Sequence, residues 1–342
     1  MSCRGDGCGA AVAGAMMTRM PALTTFAFLE PLDTAQLQPF RQALPDVELV
    51  VGDGKALPAG LERAQAAAIG WDCIRIDDLL DAAPALRWLH WRGAGIDRIA
   101  GSRFLASDVV ITNGSGNHAP NIAEHLLGLM LAFARRLPQL IRAQQERHWT
   151  TLGMDDVFEL SGQTLAIVGL GSIGEALAWR AAALGMRVVG VRRHAAGAPP
   201  RGVERVVDVS ALDDVLPLAD HVAITLPLTA DTRGLFDAAR LARCRRGAYL
   251  YNVGRGPVVV PEALLAALDS GQLAGAGLDV TDPEPLPESS PLWRHPGIVI
   301  TAHTSGYTPR SFERWQQLLL DNLRRFVRDE PLLNVVDKRL GY

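Results

Sequence analysis

The sequence predicts an α/β protein built on two doubly wound parallel sheets. Short apolar runs alternate with amphipathic stretches from residue 23 to residue 113, and a second series of the same kind extends from residue 163 to residue 306. A long helical pattern separates the two series. Alternation of strand-like and helix-like periods is typical of a parallel sheet that is covered by helices on both faces.

The composition is that of a globular protein that acts on small molecules. The chain has 342 residues, of which 48% are hydrophobic and 21% charged, so it is long enough for two domains of typical size. Its formal net charge of −3 offers no basic excess, and we expect neither a nucleic acid nor a membrane as a partner. The longest apolar run, HLLGLMLAFARRLP, is too short and too charged to span a bilayer.

The cysteines and the N-terminal segment predict a cytoplasmic protein without a metal. Four cysteines in so long a chain indicate no disulfide framework, and Cys3 and Cys8 lack the second pair that a metal site would need. Residues 1–20 are rich in glycine and alanine and lack the apolar core of a signal peptide, so they predict a disordered tail. Translation is hypothesised to begin at a later methionine, namely Met16, Met17 or Met20.

The first series contains enough elements for one complete domain. Its strand-like runs are TFAFL, VELVV, AAAIG, WLHW and VVITN, and its helix-like stretches include QLQPFRQAL and IDDLLDAAPALRWL. The helical stretch NIAEHLLGLMLAFARRLPQLIRAQQERHW comes next. Asn121 is its predicted cap, and Pro138 should kink or divide it.

The second series predicts a second doubly wound sheet. Its strand-like runs lie in TLAIV, MRVVGV, ADHVAITLPLT, AYLYNVGRG, LAGAGLDV and GIVITAHTSG. The proline-rich segment 282–296 is too short for a linker and predicts a rigid loop. A last helix, SFERWQQLLLDNLRRFVRDE, follows Thr308, and no strand pattern comes after it.

A glycine-rich motif, GLGSIG, lies between a predicted strand and a predicted helix. Such a motif alone is weak evidence, but here TLAIV precedes it, SIGEALAWRAAAL follows it, and RVVGV completes a βαβ unit. In that setting backbone N–H groups at the helix N-terminus can bind a pyrophosphate. We therefore expect a dinucleotide to contact Gly169, Gly171, Ser172, Ile173 and Gly174.

Two adjacent arginines, Arg192 and Arg193, end the second strand of this unit. An acid at the place of Arg192 would bind the 2′-hydroxyl of an adenosine ribose, whereas an arginine suits a 2′-phosphate. Each charge-assisted hydrogen bond to a phosphate contributes roughly 1.5–3 kcal/mol. The pair therefore predicts a preference for NADP(H), with NAD(H) possible.

A second set of polar residues follows three later strand-like runs. Arg255 lies in NVGRGPVV, Asp279 and Glu284 lie in GLDVTDPEPLP, and His303 lies in TAHTSG. Each should therefore lie at the carboxyl end of the sheet, where open α/β folds bind their ligands. Any one of them alone would be interpreted as an ordinary surface residue, but their combination and order indicate an active site.

Five motifs together resemble those of the D-isomer-specific 2-hydroxyacid dehydrogenase family, nearest to its glyoxylate/hydroxypyruvate reductase-like branch. They are GLGSIG, TLPLTADTRGL, YNVGRGPVV, AGLDVTDPEPLP and TAHTSG, and the resemblance extends from about residue 23 to the C-terminus. It implies a flavodoxin-like substrate domain and a Rossmann cofactor domain, with the active site in the cleft between them. It also implies a small 2-keto or 2-hydroxy acid as substrate.

The resemblance implies a role for each member of a catalytic triad. Arg255 would bind the carboxylate and carbonyl of the 2-keto acid, and His303 would donate a proton to the forming alkoxide. Glu284 would hydrogen-bond His303, and a carboxylate partner favours the protonated imidazole. A cation and a proton donor beside the carbonyl oxygen would stabilise the negative charge that hydride attack creates there.

The resemblance also assigns substrate and cofactor contacts. Backbone N–H groups of Ala94 and Gly95, in RGAGID, would hold the substrate carboxylate together with Arg255. Leu226 and Pro227 would line the adenosine side, and Asp279 would lie near the nicotinamide carboxamide. The remaining cofactor contacts implied are Thr232, Val253, Gly254, His303, Ser305 and Gly306.

The family's plan implies that the cofactor domain is an insertion. Residues 21–113 and 304–342 would form the substrate domain, and residues 114–303 the cofactor domain. The long helix at 121–137 resembles the crossover that forms a homodimer in the family, and residues 148–160 would lie near a partner subunit's pocket. Trp71, Trp91 and Trp293 either shape the substrate pocket or simply pack.

Three alternatives remain open. One is an NAD(H)-preferring D-2-hydroxyacid dehydrogenase with a larger substrate, and another is a cofactor-sensing, corepressor-like binding module. Formate dehydrogenases form a third branch, but they carry glutamine where Glu284 stands here. An acid at this position favours proton transfer, so a keto acid reductase is the preferred interpretation.

Overall fold

The computed structural model describes residues 23–70, 76–99 and 101–340. The predicted N-terminal tail and Trp71 lie outside these ranges. The first sheet has five parallel strands in the order β2-β1-β3-β4-β5, which is the flavodoxin-like order. They are β1 (Thr25–Phe28), β2 (Glu48–Val51), β3 (Ala66–Ile69), β4 (Trp88–Trp91) and β5 (Val110–Asn113), with helices α1 (Thr34–Ala43), α2 (Ile76–Ala82) and α3 (Arg103–Ala106) between them.

The long helical stretch is two helices, α4 (Ala119–Ala134) and α5 (Leu137–Gln145). The break lies at Arg136, whose φ of 52° is left-handed, and Pro138 sits in the first turn of α5. A proline is tolerated in a first turn because the N–H it lacks would have no partner within the helix there. The prediction that Pro138 divides the stretch is confirmed.

The predicted cap of α4 is wrong. His118 is the N-cap residue, and Asn121 is a buried residue in the first turn of the helix. The Asn121 amide donates to the carbonyl of Ser305 at 2.7 Å, and its oxygen accepts from Arg314 at 2.8 Å. Its polar groups therefore hold the chain where it returns from the second sheet, instead of capping the helix.

The second sheet has seven parallel strands in the order β12-β11-β10-β9-β6-β7-β8. The order reverses next to β6, so a crevice opens beside its carboxyl end, where doubly wound folds bind dinucleotides. The strands are β6 (Thr164–Val168), β7 (Arg187–Arg192), β8 (Arg205–Asp208), β9 (His221–Ile224), β10 (Ala248–Asn252), β11 (Leu273–Leu278) and β12 (Ile298–Ile300), and the helices are α6 (Ser172–Ala183), α7 (Leu212–Val215), α8 (Ala238–Leu241) and α9 (Pro261–Asp269).

The last helix, α10 (Pro309–Val327), returns to the first sheet. Its Trp315, Leu319 and Leu323 are buried against Phe26 and Phe28, and each such side chain contributes roughly 1.5–3 kcal/mol by leaving water. Beyond the helix the chain pairs once more, because Val335 forms an isolated antiparallel bridge with Thr112. The sequence pattern had not predicted this contact. Within the described ranges, no helix combines the length and apolarity needed to cross a membrane.

Candidate active site

The three predicted catalytic residues follow neighbouring strands of the second sheet. Arg255 comes after β10, Glu284 after β11 and His303 after β12, and these strands are hydrogen-bonded in that order. Because the strands are parallel, their carboxyl ends lie at one edge of the sheet. The structure therefore brings the three side chains to the same place.

The turn that carries Arg255 packs so closely on its neighbours that the residues before and after Arg255 have no room for a side chain. A Cβ at Gly256 would lie 1.8 Å from the carbonyl oxygen of Thr281, and one at Gly254 would lie 2.5 Å from that of Leu226. The Asn252 side chain stabilises the turn by donating to the carbonyl of Arg255 at 2.9 Å. Arg255 is thus fixed against the segments that carry Glu284 and the adenosine-side loop.

The Arg255 side chain crosses to the first sheet, where it pairs with an acid that the sequence analysis missed. Its Nε donates to Oδ1 of Asp97 at 2.9 Å, and its Nη1 donates to the carbonyl of Gly254 at 2.8 Å. A Cβ at Gly95 would lie 2.0 Å from Arg255 Nη2. The guanidinium therefore lies directly on the loop predicted to hold the substrate carboxylate. The signal for Asp97 was an acid two residues beyond Gly95, in RGAGID.

Two side chains support the loop at Ala94 and Gly95 by donating hydrogen bonds to its carbonyls. Trp91 Nε1 donates to the carbonyl of Gly95 at 2.9 Å, and Asn113 Nδ2 donates to the carbonyl of Ala94 at 2.7 Å. Trp91 is 3% exposed, so it is a core residue that also supports this loop. Trp293, in contrast, is half exposed and donates to the carbonyl of Pro287.

His303 and Glu284 form a hydrogen-bonded pair at the opening of the cleft. His303 Nδ1 lies 2.9 Å from Glu284 Oε2, and the other carboxylate oxygen accepts from the N–H of Thr281 at 2.9 Å. Burial acts to raise the pKa of Glu284, but the hydrogen bonds from His303 and Thr281 and the charge of Arg255 outweigh it and hold that pKa below its ordinary value. Glu284 is therefore an anion at neutral pH, and an anion at Nδ1 orients the ring and leaves Nε2 for a substrate.

The backbone of His303 is in a conformation that most residues avoid. Ala302 and His303 have φ values of 47° and 56°, in the left-handed region. Such a conformation persists only where surrounding contacts impose it. One such contact comes from Asp279, the residue after β11, since the His303 N–H donates to the Asp279 carbonyl at 2.6 Å.

Asp279 organises the loop after β12. Its carboxylate is 2% exposed, and it accepts from the hydroxyl of Thr301 at 2.7 Å, from the N–H of Thr304 at 3.0 Å, and from both the N–H and the hydroxyl of Ser305. A buried carboxylate needs this many donors to be tolerated. Asp279 therefore holds residues 301–305, and through them His303, in place.

The glycine-rich loop has the shape that a dinucleotide needs. Gly169 has a φ of 109°, and a Cβ there would lie 2.9 Å from the backbone of Thr225; a Cβ at Gly174 would lie 2.7 Å from the Gly169 carbonyl. At Gly171 a Cβ would meet no atom within 4 Å, so the loop faces open space there. The first N–H groups of α6, from Ser172 onward, have no partner within the helix and no side-chain cap. These residues fit a pyrophosphate.

The other predicted cofactor contacts follow the strands β9, β10 and β12 of the same sheet. Leu226 and Pro227 follow β9, the neighbour of β6, and the Thr232 hydroxyl donates to the Pro227 carbonyl at 2.7 Å. Val253 and Gly254 follow β10, the next strand along. Ser305 is buried and Gly306 is half-buried on the loop after β12.

Arg192 is the last residue of β7, at the edge of the same crevice. Its guanidinium donates to the carbonyl of Ala196, and its buried Nε has no hydrogen-bond partner among the described residues. Arg193 is exposed beside it. Asp208 lies opposite Arg192 in the register of β8, but its Oδ1 accepts from Ser210. The described part of the chain contains no group of three or more His, Cys, Asp or Glu residues that could hold a metal ion.

Known proteins resemble this chain in sequence. The family model of the D-isomer specific 2-hydroxyacid dehydrogenase, NAD binding domain, matches residues 127–305. D-3-phosphoglycerate dehydrogenase of Mycobacterium bovis is 33% identical over 237 residues, which are 69% of this chain but only 44% of that relative. Glyoxylate/hydroxypyruvate reductase B of Citrobacter koseri is 36% identical over 249 residues, which are 72% of this chain and 76% of the relative.

A solved structure shares the fold across both sheets. The NADPH-dependent glyoxylate/hydroxypyruvate reductase of Sinorhizobium meliloti, in complex with NADP and sulfate, has a TM-score of 0.79 and 30% identity. The match covers 93% of this chain and 100% of that one. The match of the family model to residues 127–305 and the agreement of the fold lead to one conclusion. The chain belongs to the D-isomer specific 2-hydroxyacid dehydrogenase family.

Proposed function

We propose that the protein is an NADP(H)-preferring, D-specific reductase of small 2-keto acids such as glyoxylate and hydroxypyruvate. The observation that carries the proposal is the convergence of the Arg255 guanidinium on Gly95, beside the His303–Glu284 pair. The names of the Citrobacter and Sinorhizobium proteins support the substrate class. Residues 21–113 and 304–342 would form the substrate domain, and residues 114–303 the cofactor domain.

The residues divide the reaction between them. A reduced nicotinamide cofactor supplies the hydride when bound. Arg255 binds the substrate carboxylate and polarises the carbonyl, while the loop at Ala94 and Gly95 holds the carboxylate from the other side. His303 gives its proton to the oxygen that becomes the hydroxyl, and Glu284 stabilises the charged ring before that transfer. In the oxidation of a 2-hydroxy acid His303 accepts the proton.

The direct test is a steady-state panel. Glyoxylate, hydroxypyruvate, pyruvate and phenylpyruvate are each assayed with NADPH and with NADH, and turnover is followed by loss of absorbance of the reduced cofactor. We expect the highest kcat/KM for glyoxylate or hydroxypyruvate with NADPH. No turnover with any pair would contradict the proposal and favour a cofactor-sensing binding module, whereas best turnover of phenylpyruvate with NADH would favour a dehydrogenase for larger substrates.

Arg192→Asp is expected to reverse the cofactor preference. The aspartate would repel a 2′-phosphate and accept from a 2′-hydroxyl, so kcat/KM with NADPH should fall about 10- to 100-fold, equivalent to one charge-assisted hydrogen bond or more. The ratio of kcat/KM for NADPH and NADH measures the effect. Arg193→Asp is the matched comparison, since it makes the same charge change one residue further on. An Arg192→Asp enzyme that keeps the full NADPH preference would show that Arg192 does not contact the phosphate.

A homodimer through the cofactor domain is also proposed. On α4, α5 and the segment after them, large apolar side chains are exposed to solvent: Leu131 is 43% exposed, Ile141 53%, Trp149 94% and Met154 93%. An exposed apolar surface of this kind is typical of an interface. We expect twice the chain mass in light scattering, and Ile141→Asp with Trp149→Asp should shift the protein toward monomer. A monomeric wild-type protein would refute the dimer.

We propose a cytoplasmic location on the composition alone.

A further inference from the structure

A cavity of about 310 Å³ lies beside the N-terminus of α10, and its lining includes residues close in sequence to the two loops of the candidate active site. Its lining includes Arg92, three residues before Gly95, and Tyr307, four residues after His303. Since an extended chain spans at most about 3.6 Å per residue, these two residues lie within about 11 Å and about 14 Å of Gly95 and His303. The volume is at the lower end of the range for small-molecule sites.

Arg92 supplies a fixed cation to this cavity. Its Nη1 donates to Glu30 Oε2 at 2.6 Å, and its guanidinium carbon lies 5.0 Å and 5.1 Å from the ring centres of Phe312 and Trp315. A guanidinium carries five N–H donors, and the ion pair with Glu30 engages Nη1. The ion pair and the two rings set the orientation of Arg92 before any ligand arrives.

His118 also lines the cavity, and its two ring nitrogens have different surroundings. Its Nδ1 lies 2.9 Å from the Gly306 carbonyl, which can only accept, so Nδ1 carries the proton. Nε2 is buried and has no hydrogen-bond partner among the described residues. A buried polar atom without a hydrogen bond lowers the stability of the fold unless a ligand or a water forms a hydrogen bond with it. Since Nδ1 carries the proton, Nε2 of the neutral ring is an acceptor, and it can accept from the hydroxyl of a protonated phosphate.

Two arginines lie close enough to His118 to affect its pKa. Burial lowers the pKa of His118, and the charges of Arg92 and Arg314 lower it further, against the opposing effect of the hydrogen bond to Gly306. Arg314 is held nearby by the carbonyl of Asn117 at 2.6 Å. None of the described residues that line the cavity is acidic, and the phenol of Tyr307, a residue 67% exposed, adds a donor at its mouth.

We propose that this cavity is an anion subsite, which takes a carboxylate or phosphate group in addition to the carboxylate held by Arg255 and Gly95. The group is carried either by the far end of a 2-keto acid substrate or by a free anion. In the first case the subsite rests on the proposed function and narrows the substrate class to keto acids with a second acidic group. In the second case it does not depend on turnover.

The first experiment measures binding of inorganic phosphate by calorimetry. Wild type is compared with Glu30→Gln/Arg92→Gln, which removes both charges of the ion pair so that no buried carboxylate is left alone. His118→Asn is the second variant, because its amide can still donate to Gly306 while Nε2 is lost. Arg41→Gln, on the exposed face of α1, is the control for the loss of an arginine away from the cavity. We expect at least about tenfold weaker binding in the double variant, about threefold in His118→Asn, and no change in the control.

The second experiment compares two keto acids of the same shape, 2-oxoglutarate and 5-methyl-2-oxohexanoate. They differ in that one ends in a carboxylate and the other in two methyl groups. If the substrate carries the anion, wild type should prefer 2-oxoglutarate by about tenfold or more in kcat/KM, and the double variant should reduce that ratio to about threefold or less. Melting temperatures confirm that the variants are folded.

The outcomes separate the two sources and separate this proposal from the proposed function. If both variants weaken phosphate binding and wild type shows no preference for 2-oxoglutarate, the subsite takes a free anion. If wild type prefers 2-oxoglutarate and neither variant changes phosphate binding, the subsite takes the second acidic group of the substrate. Phosphate binding that neither variant changes, together with no preference for 2-oxoglutarate, overturns the subsite. Failure to turn over glyoxylate contradicts the proposed function but leaves the phosphate titration as the decisive measurement for the subsite.

Discussion

Arg255→Ala is expected to lower kcat/KM for glyoxylate or hydroxypyruvate by at least about 10²- to 10³-fold, the loss typical when one fixed donor to a developing oxyanion is removed. The guanidinium lies against Gly95, in the predicted carboxylate loop. Both turnover and apparent substrate affinity should fall, since the same group binds the carboxylate and polarises the carbonyl. Steady-state kinetics with saturating NADPH measure both parameters, and wild-type kinetics would refute the role.

Asp97→Asn tests how much the orientation of the Arg255 guanidinium contributes, because the variant keeps the guanidinium but removes the charge that pairs with it. The amide oxygen can still accept from Arg255 Nε, but it carries no charge, so we expect kcat/KM to fall about tenfold, equivalent to roughly 1.4 kcal/mol. Most of the loss should appear in KM, because a misdirected guanidinium binds the carboxylate less well. Asp97→Glu, which restores the charge, should recover part of it. A loss equal to that of Arg255→Ala would mean that Asp97 contacts the substrate itself.

His303→Asn is expected to lower kcat by about 10²- to 10⁴-fold, the range for removal of a general acid, while NADPH still binds. Asparagine is chosen because position 303 has a φ of 56°, which asparagine tolerates better than alanine. The backbone N–H of residue 303 should therefore keep its hydrogen bond to Asp279. Stopped-flow turnover gives kcat, and a fluorescence titration gives the NADPH affinity. Near-normal kcat would remove His303 as the proton donor.

Glu284→Gln should have a smaller effect with a distinct pH dependence. Glutamine can accept a hydrogen bond from His303 Nδ1, but it does not favour the charged ring, so the loss in the rate of reduction should grow as the pH rises. The low pKa of Glu284 means that its charge is present throughout the neutral range in the wild-type enzyme. A loss that is the same at every pH would indicate that Glu284 only holds the loop.

Most of the fold and the locations of the site residues could be predicted from local pattern. Each strand-like run forms a strand, and parallel strands bring the residues after them to one edge of the sheet, so Arg255, Glu284 and His303 came together as expected. The glycine positions were equally predictable, since close backbone approach at Gly169 and Gly174 leaves no room for a Cβ.

Contacts between residues remote in sequence could not be predicted in this way. The ion pair of Asp97 with Arg255 joins the two sheets. The place of Asp97 in RGAGID puts it beside the predicted carboxylate loop, but the sequence around it does not indicate that the two side chains pair. Asn121 looked like a cap because its amide can bond a helix end, but partners on the returning chain, Ser305 and Arg314, engage it instead. The position of Asp279 near the nicotinamide stays a prediction, and the sequence did not indicate the donors in the loop 301–305 that its carboxylate accepts from.

The Arg255–Asp97 ion pair has a consequence for the timing of catalysis. Its two charges belong to different sheets, and the guanidinium is oriented by an acid on the opposite wall of the cleft. A hinge motion that widened the cleft would separate the two charges, and the guanidinium would lose the acid that sets its direction. With the proposed role of Arg255, the alignment of the substrate-binding cation would then depend on the two walls being together.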